Sequence, residues 1–543
     1  MFLPISKSDM IKRGWDECDI ILITGDAYVD HHSYGASVIG RVLESASFKV
    51  GIISQPDWRT TDDFKKLGCP KLFFGITSGN VDSMVANYTA KKRPRQTDLY
   101  SPLNKSGLRP DRATIVYSNR IKEAFKGIPI VLGGVESSMR RLAHYDYWNN
   151  AVRRSIILDA KADILVYGMG EKQIVEIAKR ISNGEKIQEI NNIRGTVIVR
   201  NNYDYLDNCI EIPSYEEVKE DDVKFNQAFV SFYKELSPNN GKPVAQKHGN
   251  RFVIQLPPPL PLTQKELDKI YDLPYMRNPH PIYNKHNGIK GFEVVQTSIV
   301  SHRGCPGECN FCELGIHQGR IIQSRSEKSI LNEAEKITNQ GYFHGTISDV
   351  GGPTANLYKA SCKLWKKGIT CNNKNCLVPI RCKNLILGYN ESIDLYSKIS
   401  KLKNINHVFI SSGFRYDLLA EPFAEKYFES LCRNHISGQM KVAPEHVSSK
   451  VLKLMNKPDF SVYERFVKKF YALNRKLKKK QFLVNYFILA HPGSTNTDES
   501  LMKSYWRSTR IRPEQVQDFT PLPMTASSCM HYTHKNPFTG KNI

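Results

Sequence analysis

Three cysteines stand close together in the stretch SHRGCPGECNFC, which spans residues 301–312. Cys305, Cys309 and Cys312 are separated by three and two residues. A structural metal site usually has four protein ligands, whereas a catalytic site keeps one position open. Because a [4Fe-4S] cluster is normally held by four thiolates, three would leave one iron free to bind a substrate or cofactor. The spacing therefore fits a catalytic cluster and fits equally a zinc site completed by His302 or His317, and an accidental spacing is the further alternative.

Four more cysteines crowd into a single segment, CKLWKKGITCNNKNCLVPIRC, and they are Cys362, Cys371, Cys376 and Cys382. This density predicts a second metal site, which is either an auxiliary iron–sulfur cluster or a tetrahedral zinc. A set of scattered, reduced cysteines is the alternative. The Lys, Asn and Gly residues between the thiols cannot bury a core, yet the segment is long, and this favours a metal.

Apolar runs alternate with helical or turn segments from residue 1 to residue 185, and five of them are strand candidates, at residues 19–25, 48–54, 71–77, 128–134 and 162–168. Short buried strands joined by crossovers predict a parallel, doubly wound sheet of the α/β class. We expect residues 1–185 to form this N-terminal domain, with residues 87–113 as a surface loop. Residues 186–285 are expected to be a connecting region that contains a stiff linker, LPPPLPL (256–262).

A second alternating series begins near residue 290 and has six strand candidates, at residues 292–300, 342–350, 405–413, 438–445, 482–490 and 514–520. Six βα repeats predict a partial (βα)6 barrel over residues 286–525, with the Cys-rich insertion at 360–385 and a short C-terminal tail at 526–543. In parallel architectures chemistry takes place at the carboxyl ends of the strands. The first three cysteines follow the first strand of this series directly, and this position favours the cluster over zinc.

Composition limits the location and the partners of the protein. The 543 residues are 40 % hydrophobic, enough for two or three packed cores. No stretch approaches the roughly 18 apolar residues of a membrane span, and the first residues lack a signal-peptide run, so we expect a cytoplasmic protein without membrane contact. Its twelve cysteines are then metal ligands or redox groups rather than disulfides. The formal charge of +23 makes RNA a possible partner, although basic residues are abundant throughout the chain.

The stretch DHHSYG, at residues 30–35, matches the D-x-H-x-x-G pattern of cobalamin-binding domains, with His32 at the position of the cobalt ligand. Thr77 and Ser78 follow the third strand candidate and a glycine pair, 133–134, follows the fourth, as that fold requires. A six-residue pattern is weak evidence, and the insert before the glycine pair lengthens the spacing. We therefore expect no cobalamin. Ordinary loop polarity is the preferred interpretation, and a substrate cleft lined by His31, His32 and Glu136 is the alternative.

Motifs along nearly the whole chain resemble the YgiQ-type radical S-adenosylmethionine (SAM) protein family, and in chain order they are TGDAYVDHHSYGASVIGRVLE, GGVESSMRRLAHYDYW, SHRGCPGECNFCELGIHQGRIIQSRS, SDVGGPTANLY, SSGFRYDL, KVAPEH, YFILAHPGST, VQDFTPLPMT and HYTHKNPFTGK. The resemblance implies a [4Fe-4S] cluster whose open iron binds SAM, and reductive cleavage of SAM to a 5'-deoxyadenosyl radical. It also implies a reductase or flavodoxin-type electron donor. The substrate stays open. Relatives usually carry a further C-terminal extension beyond the point where this chain ends.

The resemblance assigns roles to residues near the triad. Phe311 is the aromatic residue before the last cysteine. Gly351 and Gly352 stand where the superfamily has a GGE-type motif, whose backbone receives the SAM amino group. Because Pro353 replaces the acidic residue, that contact falls to backbone carbonyls or to Asp349.

Two charged residues follow the third and fourth strand candidates of the second series. Arg415 and Glu445 stand where the superfamily often contacts the carboxylate and ribose of SAM, with structural ion pairs as the alternative. The sequence thus predicts a radical SAM enzyme. The competing hypothesis is a non-catalytic iron–sulfur or zinc module that binds RNA.

Overall fold

The computed structural model describes residues 1–371, 376–509 and 513–543, and these form two compact units. Unit 1 comprises Met1–Leu260 and Leu273–Gln296, and unit 2 comprises Pro261–Asp272 and Thr297–Ile543. Part of the predicted Cys-rich insertion, 372–375, and part of the predicted barrel, 510–512, lie outside the described residues. Within the described ranges, no helix combines the length and the apolar character that crossing a membrane requires.

Unit 1 is built on short strands, which are β1 (Ile20–Thr24), β2 (Val29–Asp30), β3 (Val50–Ser54), β4 (Phe73–Thr77), β5 (Ile130–Leu132), β6 (His144–Asp146), β7 (Ala151–Arg153), β8 (Ile164–Val166), β9 (Thr196–Arg200), β10 (Ile210–Ile212), β11 (Val244–His248), β12 (Arg251–Gln255) and β13 (Asn278–Pro279). Nine of these described strands form one sheet in the order β10-β11-β12-β9-β8-β5-β4-β1-β3. The run from β3 through β1, β4 and β5 to β8 is parallel. Because these strands are buried on both faces, they are continuous apolar runs, and the predicted parallel sheet is confirmed.

The region that was expected to connect two domains belongs to this sheet instead. β9 pairs antiparallel with both β8 and β12, and β11 continues the sheet to β10. The predicted boundary at residue 185 was wrong because the antiparallel pairing by which these strands extend the parallel sheet leaves no local signal in the sequence. The chain passes from unit 1 to unit 2 within the proline-rich stretch, between Leu260 and Pro261. The first part of that stretch is fixed to unit 1, since Leu256 N donates to Thr196 O at 2.9 Å.

Unit 2 contains the strands β14 (Ser298–Val300), β15 (His302–Arg303), β16 (Gln323–Ser324), β17 (Thr346–Ile347), β18 (Asp349–Gly351), β19 (Ser361–Cys362), β20 (Leu385–Ile386), β21 (His407–Val408), β22 (Gln439–Glu445), β23 (Phe482–Leu489) and β24 (Gln515–Asp518). Four pairs are parallel: β14 with β18, β17 with β21, β22 with β23, and β23 with β24. A parallel bridge between Phe414 and Val442 joins the two halves. These pairings follow chain order, as a partial barrel of βα repeats requires.

α-Helices connect the strands, and they are α1 (Lys7–Lys12), α2 (Gly35–Ser45), α3 (Asp62–Lys65), α4 (Ser83–Asn87), α5 (Ala113–Ala124), α6 (Gly134–Ser138), α7 (Ile156–Asp159), α8 (Glu171–Ser182), α9 (Tyr215–Glu220), α10 (Asp222–Lys234), α11 (Gln264–Tyr271), α12 (Lys290–Glu293), α13 (Leu314–His317), α14 (Glu327–Thr338), α15 (Tyr389–Ser400), α16 (Tyr416–Ala420), α17 (Glu425–Ser430), α18 (Ser449–Leu454), α19 (Phe460–Leu477), α20 (Asn496–Thr509) and α21 (Ala526–Thr533). The strand expected from residue 292 begins only at Ser298, because α12 occupies the preceding residues.

The core of unit 2 is rich in aromatic side chains. Phe466 and Phe470 of α19 stack on Phe428 of α17, with ring centroids 5.6 and 6.3 Å apart, and all three rings are fully buried. Helix α19 presents these rings on one face because they recur at helical spacing. Such packing fixes the helices, and through them the ends of the parallel strands where the cysteine triad is attached.

Candidate functional site

The loop that carries the cysteine triad is fixed to α18 by hydrogen bonds. Asn310 N donates to Met455 O at 3.0 Å, and Asn310 Nδ2 donates to Leu454 O at 2.8 Å. Asn456 Nδ2 donates to Glu308 O at 2.8 Å. The backbone around the thiols is therefore held in place by the protein itself.

Two of the three thiols, those of Cys305 and Cys309, lie beside Gly307, and Cys312 interacts electrostatically with both. A Cβ atom added to Gly307 would lie 3.3 Å from Cys305 Sγ and 3.9 Å from Cys309 Sγ, so the missing side chain leaves the space between the sulfurs open. Burial raises the pKa of the Cys305 thiol, and it raises that of Cys312 well above its ordinary value. Thiolates at this place need a positive partner, and a metal centre supplies one, since a coordinating thiol is deprotonated outright. The donor set fits an iron–sulfur cluster.

His302, which was the alternative zinc ligand, has a structural role. Its ring is fully buried, Nε2 donates to Thr354 O at 3.0 Å, and Nδ1 lies 2.9 Å from Ser301 Oγ. Burial lowers its pKa to about 4, so the ring is neutral at pH 7. Within the described part of the chain, no three His, Cys, Asp or Glu side chains form a group that could hold a metal ion. Zinc ligands all lie about 2.0–2.3 Å from one ion, whereas the thiolates of a cluster bind separate irons.

Arg415 lies beside a thiol of the triad. Its Nη1 is 3.8 Å from Cys309 Sγ. Its Nε and Nη2 donate to the two carboxylate oxygens of Asp417 at 2.9 and 2.8 Å. Arg415 N donates to Asn356 Oδ1 at 3.0 Å, and Asn356 Nδ2 donates back to Arg415 O at 3.1 Å. The structure thus gives Arg415 the ion pair that was the alternative, together with a contact to a cluster ligand.

The two glycines after the second barrel strand allow close packing. A Cβ on Gly351 would lie 2.5 Å from Ser412 Oγ, and one on Gly352 would lie 2.7 Å from both the ring and the carbonyl of His302. At each of these two positions a side chain would therefore collide with a neighbouring residue. Their predicted contact with SAM stays a prediction.

Asp349, at the start of β18, is engaged with the loop after β21. Ser411 N and Ser412 N donate to Asp349 Oδ1 at 2.8 and 3.0 Å, and the Ser412 hydroxyl donates to Oδ2. Burial raises the pKa of this carboxyl, and these hydrogen bonds oppose the shift. Asp349 therefore positions the loop that leads to Arg415, and its oxygens already have partners.

Glu445 ends β22 in a left-handed backbone conformation, with φ of 69°. This conformation costs a non-glycine residue of order 1–3 kcal/mol, and such strain is concentrated at functional sites. The side chain is buried and lies 3.7 Å from Lys457 Nζ. Burial raises the pKa of its carboxyl, while Lys457 opposes this effect. The structure thus gives Glu445 the ion pair that was the alternative, and its contact with SAM stays a prediction.

The sequence-based prediction missed Tyr416. Its ring is buried, and among the described residues its hydroxyl finds no hydrogen-bond partner. Its charged neighbours include Glu445 and Cys309. The available signal was its place directly after Arg415. Phe311, the aromatic residue before the last cysteine of the triad, is partly buried and packs against the core of unit 2.

The Cys-rich insertion has a hydrophobic core of its own, formed by Ile322, Leu357, Ala360, Leu377, Val378, Leu385 and Leu418. Cys362 lies in β19, which pairs antiparallel with β20. Cys376 and Cys382 pack partly against the core. The expectation that this segment buries no core was wrong, because the apolar residues lie beside the thiols and gather with residues from neighbouring loops.

In unit 1, the DHHSYG stretch runs from β2 into α2. Asp30 forms a buried ion pair with Arg41. The His32 ring is buried, with its centroid 4.1 Å from that of His31 and its Nδ1 3.3 Å from Arg277 Nη1. The predicted cobalt ligand is therefore packed inside unit 1.

The other parts of the cobalamin-type pattern meet this stretch. Asn80 Nδ2 donates to Ser33 O at 2.8 Å, and Asn80 Oδ1 accepts from Gly35 N at 3.0 Å. A Cβ on Gly134 would lie 2.3 Å from Thr77 Oγ1. The three segments converge in the fold in spite of the long insert between the second and the third.

A buried ion-pair network fills the carboxyl end of β1. Arg109 is buried and its Nη2 donates to Asp26 Oδ1 at 2.8 Å and to Asp98 Oδ2 at 3.1 Å. Both Arg109 and Asp98 come from residues 87–113, which were expected to form a surface loop. That expectation was wrong for these two residues, because the buried carboxylate of Asp26 requires a cation.

Glu136 lies in the interior of unit 1, and neither loop polarity nor the alternative of a cleft describes its position. It is fully buried, and its two oxygens accept from Ser83 N at 2.8 Å and Thr114 N at 3.0 Å. Asp82 and Arg140 form a further buried ion pair. These acids hold segments of unit 1 together.

Comparisons with known proteins agree with the motif-based resemblance. The Radical SAM N-terminal family model matches residues 2–298, and the Radical SAM superfamily model matches residues 299–504. A UPF0313 protein of Clostridium botulinum (strain ATCC 19397 / Type A) is 52 % identical over 542 residues, covering 100 % of this chain and 84 % of that protein. A UPF0313 protein of Clostridium perfringens (strain ATCC 13124) is 48 % identical over 543 residues, covering 100 % and 82 %.

Solved structures with a similar fold are radical SAM enzymes. The methyltransferase TsrM from Kitasatospora setae, with cobalamin and a [4Fe-4S] cluster bound, has a TM-score of 0.52 and 14 % identity over 93 % of this chain and 74 % of that chain. The cobalamin-dependent SAM radical enzyme OxsB, with aqua-cobalamin bound, has a TM-score of 0.51 and 12 % identity over 97 % and 56 %. The predicted fold class is confirmed.

Proposed function

Because the chain belongs to the UPF0313 family of radical SAM proteins, we propose that it is a radical SAM enzyme whose catalytic [4Fe-4S] cluster is held by Cys305, Cys309 and Cys312. When bound and reduced, such a cluster supplies the electron that cleaves SAM to methionine and a 5'-deoxyadenosyl radical. The observation that carries the proposal is the proximity of three half-buried thiols: Cys305 and Cys309 lie beside Gly307, which has no side chain, and Cys312 interacts electrostatically with both.

The residues around the triad support binding of a small polar ligand. Arg415 places a guanidinium against Cys309 Sγ, and hydrogen bonds to the sulfurs are one of the means by which proteins set the potential of a cluster. Glu445 and the Tyr416 hydroxyl offer a buried acceptor and a buried donor beside the triad. A ligand with amino, carboxylate and hydroxyl groups, such as SAM, suits this set. Asp349 contributes indirectly by fixing the backbone before Arg415.

The test uses the full chain, reconstituted anaerobically with iron and sulfide and reduced with dithionite, or with flavodoxin and its reductase. We expect SAM to change the electron paramagnetic resonance spectrum of the cluster, since it would bind the iron that no thiolate holds. We also expect 5'-deoxyadenosine to form. Zinc at the triad, or a spectrum insensitive to SAM, would contradict the proposal and favour the alternative, a non-catalytic module that binds RNA through its basic surface.

The substrate is to be found by the same reaction. Reduced protein and SAM are incubated with fractionated RNA in one arm and with metabolite fractions in another, and mass spectrometry then identifies a molecule changed only when SAM is present. Protein without reductant is the control. An RNA substrate would also give the net charge of +23 a function.

Cobalamin is a second candidate cofactor, and the expectation that it is absent finds no support. TsrM and OxsB, which share the fold, bind cobalamin. In this chain the three segments of the cobalamin-type pattern meet in unit 1, and this specific observation favours the candidate. In the described geometry, binding through the His32 ring requires Arg277 to move, because its guanidinium lies against that ring.

Hydroxocobalamin tests this candidate. If His32 binds cobalt, the purified chain retains about one equivalent and the His32→Ala variant loses it. If His32 only packs against His31 and Arg277, the wild type retains none and the substitution lowers the melting temperature alone. His344→Ala, at an exposed position of unit 2, is the control.

A further inference from the structure

Cysteines of the insertion come together in unit 2 although they are spread along the sequence from position 362 to position 382. Cys382 N donates to Cys376 O at 2.9 Å, and Cys362 and Cys382 both interact electrostatically with Cys376. Cys362 is buried in β19, whereas Cys376 and Cys382 are half-buried. Cys371 joins this group through a shared partner, since its carbonyl and Cys376 Sγ both contact Arg320.

Arg320 is the second, independent feature of this place. Its side chain is only 3 % exposed and forms an ion pair with Glu308. Its Nη2 lies 3.5 Å from Cys376 Sγ, and its Nη1 donates to Cys371 O at 3.2 Å. The sulfur of a neutral thiol is a weak acceptor. A metal-bound thiolate keeps negative charge and makes a charge-assisted contact with a guanidinium, so the position of Arg320 favours a metal ligand at Cys376.

Packing alone does not explain why four cysteines stand here. Buried cysteine behaves as a small apolar residue and belongs in a core. Only Cys362 is buried in this way, while the thiols of Cys376 and Cys382 stand at the edge of a small core.

We propose that a second iron–sulfur cluster is bound by the thiolates of the insertion, namely Cys362, Cys371, Cys376 and Cys382. Soft thiolates select iron–sulfur clusters or zinc, and the C-x4-C spacing of Cys371 and Cys376 also occurs in plant-type ferredoxins. The guanidinium of Arg320 lies between this cluster and the triad loop, to which Glu308 belongs.

Metal analysis of the full chain tests the proposal. After anaerobic reconstitution we expect about eight irons and eight sulfides per chain, since each cluster of this type holds about four of each. The Cys376→Ala/Cys382→Ala variant should hold half as much iron. The Cys69→Ala/Cys209→Ala variant, which removes two cysteines of unit 1, is the matched control and should keep the full amount. Circular dichroism checks that each variant is folded, and Cys371→Ala, whose side chain lies outside the small core, gives a second reading.

The outcomes separate this proposal from the proposed function. A twofold loss of iron confined to the insertion variants supports the second cluster. Unchanged iron, or loss of zinc in place of iron, overturns it, and in both cases SAM still changes the spectrum of the triad cluster. Conversely, the Cys305→Ala/Cys309→Ala/Cys312→Ala variant should keep about half of the iron with no response to SAM.

A substitution of Arg320 tests its contact with the ligand sulfur. Removing a hydrogen bond and a positive charge from a cluster disfavours its reduced form, so Arg320→Gln should lower the midpoint potential of the second cluster without changing the amount of iron. Arg320→Lys should give an intermediate potential because it keeps the charge but loses the fork of donors. An identical midpoint potential in the wild type, Arg320→Gln and Arg320→Lys would contradict a contact between Arg320 and a sulfur ligand of the cluster.

Discussion

The carboxyl ends of the parallel strands are filled in unit 1 and left available in unit 2. In unit 1 they are occupied by the chain's own charges: Arg109 neutralises Asp26 and Asp98, and Glu136 accepts two backbone N–H groups. In unit 2 the corresponding positions carry the cysteine triad and the Tyr416 hydroxyl, for which the described residues provide no partner. The same architecture thus carries internally paired charges in one unit and the proposed cluster site in the other.

The difference shows what decides function at such a strand end. Both units bury charged residues there, so burial and charge alone do not identify the site. What distinguishes unit 2 is the kind of group at the strand ends: clustered thiols, which are ligands for a metal centre, in place of carboxylates that are paired within the chain. Four substitutions test this contrast.

The largest effect should follow from removing a thiol of the triad. In Cys309→Ser we expect loss of most iron at the triad and of all 5'-deoxyadenosine formation, because a hydroxyl is a poor iron ligand beside thiolate. Iron content and product formation are measured together with circular dichroism, which should be nearly unchanged since unit 1 has a separate core. Cys209→Ser, in unit 1, is the control. Retained SAM cleavage in Cys309→Ser would break the contrast between the units.

The next largest effect should be on stability, in unit 1. Arg109→Met leaves Asp26 and Asp98 buried without their cation, and breaking a buried ion pair in this way costs about 3–5 kcal/mol. We expect a clear drop of the melting temperature, while SAM cleavage per folded molecule is unchanged. Arg59→Ala, which removes an exposed ion pair with Asp57, should cost less than about 0.5 kcal/mol. Equal effects of the two substitutions would show that the network does not support unit 1.

At acid pH the stability of unit 2 should depend on a buried, neutral histidine at the end of a parallel strand. His491, after β23, is buried with its Nε2 2.7 Å from Ser527 Oγ, and burial lowers its pKa from 6.5 to about 4. The folded form therefore takes up a proton less readily than the unfolded form. Its contribution to stability is complete above pH 6.5 and is lost as the pH falls towards 4.

The measurement is the unfolding free energy of unit 2 as a function of pH. Between pH 6.5 and pH 4 the unfolding free energy of His491→Gln should fall less than that of the wild type. The difference should be at most about 3 kcal/mol, because each unit of pKa shift corresponds to about 1.36 kcal/mol. His344→Gln, at an exposed position, should follow the wild type. Parallel curves for all three proteins would mean that His491 does not resist protonation in the folded state.

The smallest effect should come from one added methyl group. In Gly352→Ala the new Cβ would stand 2.7 Å from His302, and overpacking of this kind costs about 1–3 kcal/mol. Because His302 is held three residues before the first thiol of the triad, the spectrum of the cluster should also change. Gly413→Ala, where no heavy atom lies within 4 Å of the added Cβ, is the matched control. If Gly352→Ala changes neither the stability nor the spectrum of the cluster, the backbone at this strand end adjusts to the added methyl group without cost.

Sequence patterns predicted those parts of the fold whose signal is local. The central strands of unit 1 were found because they are continuous apolar runs, and the triad because its three thiols are near neighbours in the sequence. The network around Arg109 was not predictable from pattern, since Arg109 and Asp26 are 83 positions apart and meet only in the folded chain. Strands β9 and β12 are apolar runs as well, but their antiparallel pairing with the parallel part of the sheet joins distant segments and was not predictable from local pattern.

The site was predicted only in part for the same reason. The ion pair of Arg415 with Asp417 is local and was an open alternative, whereas the contact of Arg415 with Cys309 joins residues 106 positions apart. Tyr416 has no motif of its own, and the lack of a partner for its hydroxyl among the described residues becomes visible only when its surroundings are known.

The path of the chain between the units has a consequence for synthesis on the ribosome. The chain leaves unit 1 after Leu260, contributes α11 to unit 2, and returns for residues 273–296 before it leaves again. Strand β13 of the returning segment pairs with β2, and Gly291 N donates to Leu99 O at 2.8 Å. Unit 1 therefore cannot be completed when the chain has emerged only as far as Leu260. It must wait for a late segment, and a nascent chain stalled before residue 296 would expose an unfinished edge to chaperones and proteases.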